Sequence, residues 1–144
     1  MKSIVFAASI LAATVSVAHS DPIADRKAQM KARGALVGQL MPIMKGEQPY
    51  DAAKVLATLQ EMQANAVTDI SVLWPADSQA GDHTSSPKVW EAPDEFAAAV
   101  DKYQKDVDAA VEAKPQDLQA FQPLFGAITS NCGSCHQSFR VKKG

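Results

Sequence analysis

From Leu118 to Phe139 the apolar residues step by three and four without a miss: Leu118, Phe121, Phe125, Ile128, Cys132, Cys135 and Phe139. At 3.6 residues per turn that spacing puts all of them on one side of an α-helix. A stripe this long must be covered, so the helix it predicts, about Gln116 to Val141, packs its apolar face against other elements. The chain has two cysteines, and both lie within the stripe. Whatever they carry is expected in the core.

The cysteines belong to the run Cys132-Gly133-Ser134-Cys135-His136. C-x-x-C-H reads as a c-type haem attachment site. Two thiols three residues apart can add to the two vinyl groups of one porphyrin edge, and the next residue turns its imidazole to the iron as proximal ligand. Two other chemistries use such a pair. A redox-active disulfide between Cys132 and Cys135 belongs at the start of a helix in a βαβ context, which this chain does not show. A zinc site would need Cys132, Cys135, His136 and a fourth ligand, for which His83 is available. His83 sits in a Ser-, Gly-, Asp- and Pro-rich connection from Ala76 to Pro87 and reads as a solvated loop residue.

Strand signals are weak, and helical periodicity accounts for most of the rest. A first stretch, about Pro22 to Met44, repeats Ile23, Met30, Val37 and Met44 every seven residues, with Leu40 and Met41 on the same face. Pro22 suits a helix start, whereas Pro42 should kink the last turn. Gly34 and Gly38 form a G-x-x-x-G, which in a soluble bundle permits close packing. A second stretch, about Asp51 to Leu73, has Asp51 as cap and a stripe of Val55, Leu59, Met62, Ala66 and Ile70 or Leu73. A third, about Pro93 to Ala113, has Asp94 as a cap and alternates Phe96, Val100, Tyr103, Val107 and Ala110 or Val111. Trp74 and Trp90 flank the long connection and are expected to cover one end of the structure. Four amphipathic segments joined mostly by short links define an all-α fold, an antiparallel four-helix bundle with haem bound near one end.

The first twenty residues stand apart. Met1-Lys2 precedes an apolar run from Ile4 to Val17, and Ala18-His19-Ser20 offers small residues where a signal peptidase reads. Residues 1–20 are therefore expected to be a secretory signal peptide, with cleavage after Ser20 and a single domain over 21–144. The remaining chain has 13 basic and 16 acidic side chains once Lys2 is removed, a formal charge of −3. That balance excludes a nucleic-acid footprint, and after cleavage nothing is left to hold the protein in a membrane.

In an up-down-up-down bundle the start of the first helix lies beside the end of the fourth. Met30, about two turns into the first helix, can then share one haem with His136. Met41 and Met44 lie about 16–21 Å further along at helical rise and cannot. Met62 should lie deeper in the bundle. Met30 is thus the candidate for the second axial position. As a ligand it would favour ferrous haem and raise the reduction potential; as a packed side chain it would leave the iron five-coordinate and open to diatomic ligands. Arg26, one turn before Met30, and Arg140, one turn after His136, are each either a propionate partner or a solvated cation.

These residues together resemble class II cytochromes c, the group of cytochrome c′ and its low-spin relatives. The likeness rests on Arg26 with Met30-Lys31, on Lys45-Gly46-Glu47-Gln48-Pro49-Tyr50-Asp51-Ala52-Ala53, on Leu73-Trp74-Pro75, on Ser86-Pro87-Lys88-Val89-Trp90, and on Cys132 to His136 with Phe139-Arg140. It implies a bacterial periplasmic protein with one covalent haem c, thioethers at Cys132 and Cys135, and His136 as proximal ligand. Low-spin members carry a methionine ligand at the position matching Met30 and pass electrons between periplasmic redox proteins. Cytochromes c′ leave that side open and bind nitric oxide or carbon monoxide. The loop and the Ser86-to-Trp90 match lean towards the low-spin branch. A homodimer through the first two helices also occurs in the group. A haem enzyme such as a peroxidase is the third reading, against which no distal His or Arg is placed to assist O–O cleavage.

Overall fold

The computed structural model describes residues 21–66 and 70–142. The expected signal peptide, 1–20, lies outside the described residues. The helices are α1 (Pro22–Met44), α2 (Ala52–Ala66), α3 (Ile70–Leu73), α4 (Lys88–Glu91), α5 (Pro93–Ala113) and α6 (Leu118–Phe139), with a 3₁₀ turn at Ala76–Ser78. The long helices form the bundle: α1 packs on α2 and α6, and α5 packs on the same two.

The helix ends follow from local chemistry. Asp21 caps α1 by accepting from the Ile23 N–H at 2.9 Å, with Pro22 in the first turn where no N–H is needed. Asp51 accepts from the Lys54 N–H at 3.0 Å and Asp117 from the Ala120 N–H at 2.8 Å, doing the same for α2 and α6. At the start of α5 the cap position is Ala92, which makes no side-chain bond. Asp94 therefore does not cap; it sits in the first turn, where its charge meets the positive end of the helix. Pro42 lies inside α1, which continues to Met44 and then turns back through Gly46 at φ 72°.

Each long helix sends fully buried side chains to one core: Leu40 from α1, Leu59 and Met62 from α2, Val107 from α5, Phe121 and Phe125 from α6. Burying each of these contributes about 1.5–3 kcal/mol before entropy is counted. A smaller cluster of Val89, Phe96 and Phe139, joined by Trp74, Trp90 and Cys135, closes one end. Phe96 packs edge-on against both Trp74 (4.9 Å between centroids) and Phe139 (5.1 Å).

Two expectations for α1 are corrected. Its buried residues are Arg26, Leu36, Leu40 and Ile43, not the heptad row of Ile23, Met30, Val37 and Met44. An α-helix drifts about 20° per heptad against a strict seven-residue repeat, so that row ends at the edge of the core, where Val37 and Met44 pack against it half-buried. Ile23, Met30 and Val37 instead line a cavity. Gly34 and Gly38 make no close packing within the chain, since a Cβ built on either meets nothing within 4 Å.

The long connection is pinned at both ends of its run. An isolated antiparallel bridge pairs Ser85 with Arg140, with the Ser86 N–H donating to Phe139 O and the Val141 N–H to Thr84 O, each at 2.9 Å. Gly81 adopts φ 122°, and a Cβ there would come within 2.6 Å of Ile23 Cδ1. The positive φ is what calls for glycine, since the Ile23 methyl is the far end of a flexible side chain and can turn aside. Among the described residues no helix is long and apolar enough to cross a membrane.

Candidate cofactor site

A cavity of about 640 Å³ opens between the first half of α1, α5, the last turns of α6 and the long connection. Its size lies within the range of about 300–1,000 Å³ typical of small-molecule and cofactor sites. Met30, Cys132, Cys135 and His136 all line it. Met30 is the one methionine on this wall among the described residues; Met62 is buried in the bundle core, and Met41 and Met44 pack against that core. Met30 is 36% exposed and His136 is exposed, while both cysteines are half-buried as free thiols.

Burial pushes both thiols above their ordinary value, opposed by the nearby charge of Arg33. For His136 partial burial, then Arg140 and Arg33, act together to lower the pKa. All three effects favour the neutral imidazole, the form in which histidine binds metals. His83 also reaches the cavity wall, yet both of its ring nitrogens are engaged: Nδ1 accepts from the Ser85 N–H at 3.1 Å, and Nε2 faces Gln79 O at 2.9 Å. It is a half-buried, loop-fixing residue rather than a solvated one. No group of three or more His, Cys, Asp or Glu able to hold a bare metal ion occurs among the described residues.

Two arginines from α1 shape the wall. Arg26 is only 4% exposed, with its guanidinium 5.6 Å from the Trp74 ring and 5.8 Å from the Trp90 ring. Nη1 donates to Ser78 Oγ at 3.3 Å and Nη2 to Ser78 O at 3.2 Å, leaving Nε buried and without a partner. Burial lowers its pKa, and Asp21 opposes the shift. The indoles are themselves held, Trp74 Nε1 donating to Ser85 Oγ at 3.0 Å and Trp90 Nε1 to Pro75 O at 3.2 Å. Two turns on, Arg33 donates from Nε to Asn65 Oδ1 at 3.0 Å and lies 4.2 Å from the Tyr103 ring centroid. The Tyr103 hydroxyl is buried without a partner, and burial raises its pKa.

Arg33 and Asn131 are wall residues that periodicity alone did not single out, and Tyr103 was read only as part of a core stripe. A signal existed for Arg33: it follows Met30 by three positions, which puts the two on neighbouring parts of one helix face. Arg140, whose Nε donates to Thr84 Oγ1 at 3.4 Å, also lies on the wall.

The arrangement offers two thiols, an imidazole and a thioether to one chamber bordered by basic side chains, with Arg26 buried among them. A family model described as Cytochrome C′ matches residues 21–140. By that match the chain belongs to the cytochrome c′ family, the class II cytochromes c. Cytochrome c-556 of Agrobacterium fabrum (strain C58 / ATCC 33970) is 35% identical over 118 residues, covering 82% of this chain and 80% of the relative. Cytochrome c′ of Rhodopseudomonas palustris (strain ATCC BAA-98 / CGA009) is 34% identical over 137 residues, covering 93% and 91%. The solved structure of cytochrome c′ from Rhodopseudomonas palustris superimposes with a TM-score of 0.79 at 32% identity, over 88% of this chain and 100% of that one. The four-helix bundle is thus the family's fold, and covalently attached haem c is the family's cofactor.

The residues present fit that group. The donor set of two thiols three residues apart, an adjoining imidazole and a facing thioether is the one a covalent haem requires.

Proposed function

We propose that this protein is a periplasmic monohaem electron carrier, with Cys132 and Cys135 forming the two thioethers, His136 the proximal iron ligand and Met30 the distal one. The observation that carries this reading is that Met30, Cys132, Cys135 and His136 line one cavity. When bound, haem supplies a one-electron couple at the iron. The protein's part is to tether the ring at one edge through α6, to present a neutral His136, and to bring a thioether from α1. The aromatic cluster of Trp74, Phe96 and Phe139 keeps bulk water from one side of the chamber. Export is supported by the family match beginning at residue 21, the expected mature N-terminus. The partners are periplasmic redox proteins that give and take single electrons, and the protein is a carrier rather than an enzyme. Sedimentation of the holoprotein would distinguish a monomer from a homodimer.

A second reading has its own observation. A relative named cytochrome c′ matches 93% of this chain at 34% identity, and a Met30 that only borders the chamber fits that kinship. In that case the iron is five-coordinate and takes nitric oxide or carbon monoxide. The relatives bear both names, cytochrome c-556 at 35% and cytochrome c′ at 34% identity. Carbon monoxide separates the two. The carrier should be low-spin when ferric, with a weak sulfur-to-iron charge-transfer band, and should resist carbon monoxide at neutral pH when ferrous. Prompt binding by the intact protein would establish the five-coordinate reading instead.

A further inference from the structure

Every charged side chain lining the cavity is basic: Arg26, Lys27, Lys31, Arg33 and Arg140. This is the reverse of the chain as a whole, which has 16 acidic against 14 basic side chains and a formal charge of −2. The cations are also layered. Arg26 is buried and Arg33 half-buried, whereas Lys27 and Lys31, one turn apart on α1, and Arg140, just past α6, are exposed. Two carboxylates approach this set: Asp82 pairs with Lys27 at 3.3 Å and offsets its charge, and Asp21, which acts on Arg26, is engaged in capping α1. With Lys27 paired, the two propionates of a haem would balance two of the remaining four cations and still leave an excess of positive charge at the mouth.

A cationic mouth on an acidic protein has a physical consequence. Net charge governs encounter at long range, but a cleft of one sign focuses field at the docking point and steers partners of the opposite sign. We propose that this basic rim is the face on which the protein receives an acidic redox protein, one presenting a carboxylate patch around its own electron-transfer centre. The proposal rests on the carrier reading above. One electron crosses between the two centres, no bond forms or breaks, and the partner's centre is oxidised as the haem iron is reduced, or the reverse.

The test uses the holoprotein and two trianions. Hexacyanochromate(III), which is redox-inert and paramagnetic, should broaden the amide signals of Lys31 and Arg140 while leaving Lys54 in α2 sharp. Poly-L-glutamate, a carboxylate array, should displace it. Hexacyanoferrate(III) should oxidise the reduced protein more slowly as ionic strength rises from 10 to 200 mM. A protein governed by its net negative charge would show the opposite sign. At 10 mM salt Lys31→Glu should slow the oxidation roughly tenfold, whereas Lys54→Glu, the same charge change at the far end of the bundle, should alter it less than about twofold. Diffuse broadening, no displacement by poly-L-glutamate, a rate that rises with salt, or equal effects of the two variants would each overturn the proposal. Anion binding at the rim does not depend on axial ligation, and a ferrous carbon monoxide adduct is diamagnetic, so prompt carbon monoxide binding with localised broadening in that adduct would remove the carrier reading and leave the anion-receiving rim in place.

Discussion

Asn131 donates from Nδ2 to Asp106 Oδ2 at 2.7 Å, tying α6 to α5 at the residue immediately before Cys132. The same amide donates to Ala127 O at 3.0 Å, and Asp106 also accepts from Lys102 Nζ at 2.7 Å. The Lys102 and Asn131 bonds hold the Asp106 carboxyl below its ordinary range. A carboxyl depressed in the folded state contributes stability above its unfolded pKa, about 3.9, and loses it as pH falls through the lower folded value. Acid unfolding below about pH 4 should therefore be steeper in the native chain than in Asp106→Asn. Superimposable acid titrations by far-ultraviolet circular dichroism would count against this role.

Covalent attachment makes a direct prediction for the cysteines. Cys132→Ser with Cys135→Ser should yield a protein whose haem is extracted by acidified acetone, while either single change should leave one thioether and retain the group. Haem resisting extraction from the double variant would show that the tether lies elsewhere.

Met30 lies in neither buried core cluster, so the effect of Met30→Ala is expected at the haem rather than in the packing. Its optical effect should be large: the ferric spectrum is expected to become high-spin and the ferrous form to take up carbon monoxide. A spectrum unchanged by the substitution would mean that Met30 only packs.

Arg26 combines two hydrogen bonds to Ser78 with two indole faces, so Arg26→Met should cost about 2 kcal/mol in urea unfolding. Arg26→Lys should recover less than half of that loss, because an ammonium keeps the charge but not the planar fork. Equal stability of the Lys variant and the native chain would remove the geometric argument.

At Gly81 a side chain meets both a left-handed backbone and the Ile23 methyl. Gly81→Ala should destabilise by about 1–2 kcal/mol. Ile23→Ala clears the contact but not the backbone, so the two changes together should cost less than their sum by roughly 1 kcal/mol. Strict additivity would show that backbone strain alone is felt.

Much of the fold was legible because its boundaries are written in proline and aspartate. α1 and α5 begin at Pro22 and Pro93 as expected, and the three buried aromatics of α6, Phe121, Phe125 and Phe139, fall on the predicted stripe. The facing of α1 was less legible, because it carries two apolar rows. Leu36, Leu40 and Ile43 enter the bundle, while Ile23, Met30 and Val37 border the cavity, and periodicity cannot say which row faces which. The Arg33–Tyr103 pair was not legible at all. It joins side chains 70 positions apart across two helices, and only the packing of those helices brings the cation over the ring.

The bridge between Ser85 and Arg140 also has a meaning in time. Residue 140 is synthesised after every described helix, and the pairing that ties the long connection to the chain beyond α6 needs it. A polypeptide emerging from its amino end can gather α1, α2 and α5 before that latch exists. The wall beside Cys132, Cys135 and His136 therefore closes only once the whole of α6 has been made.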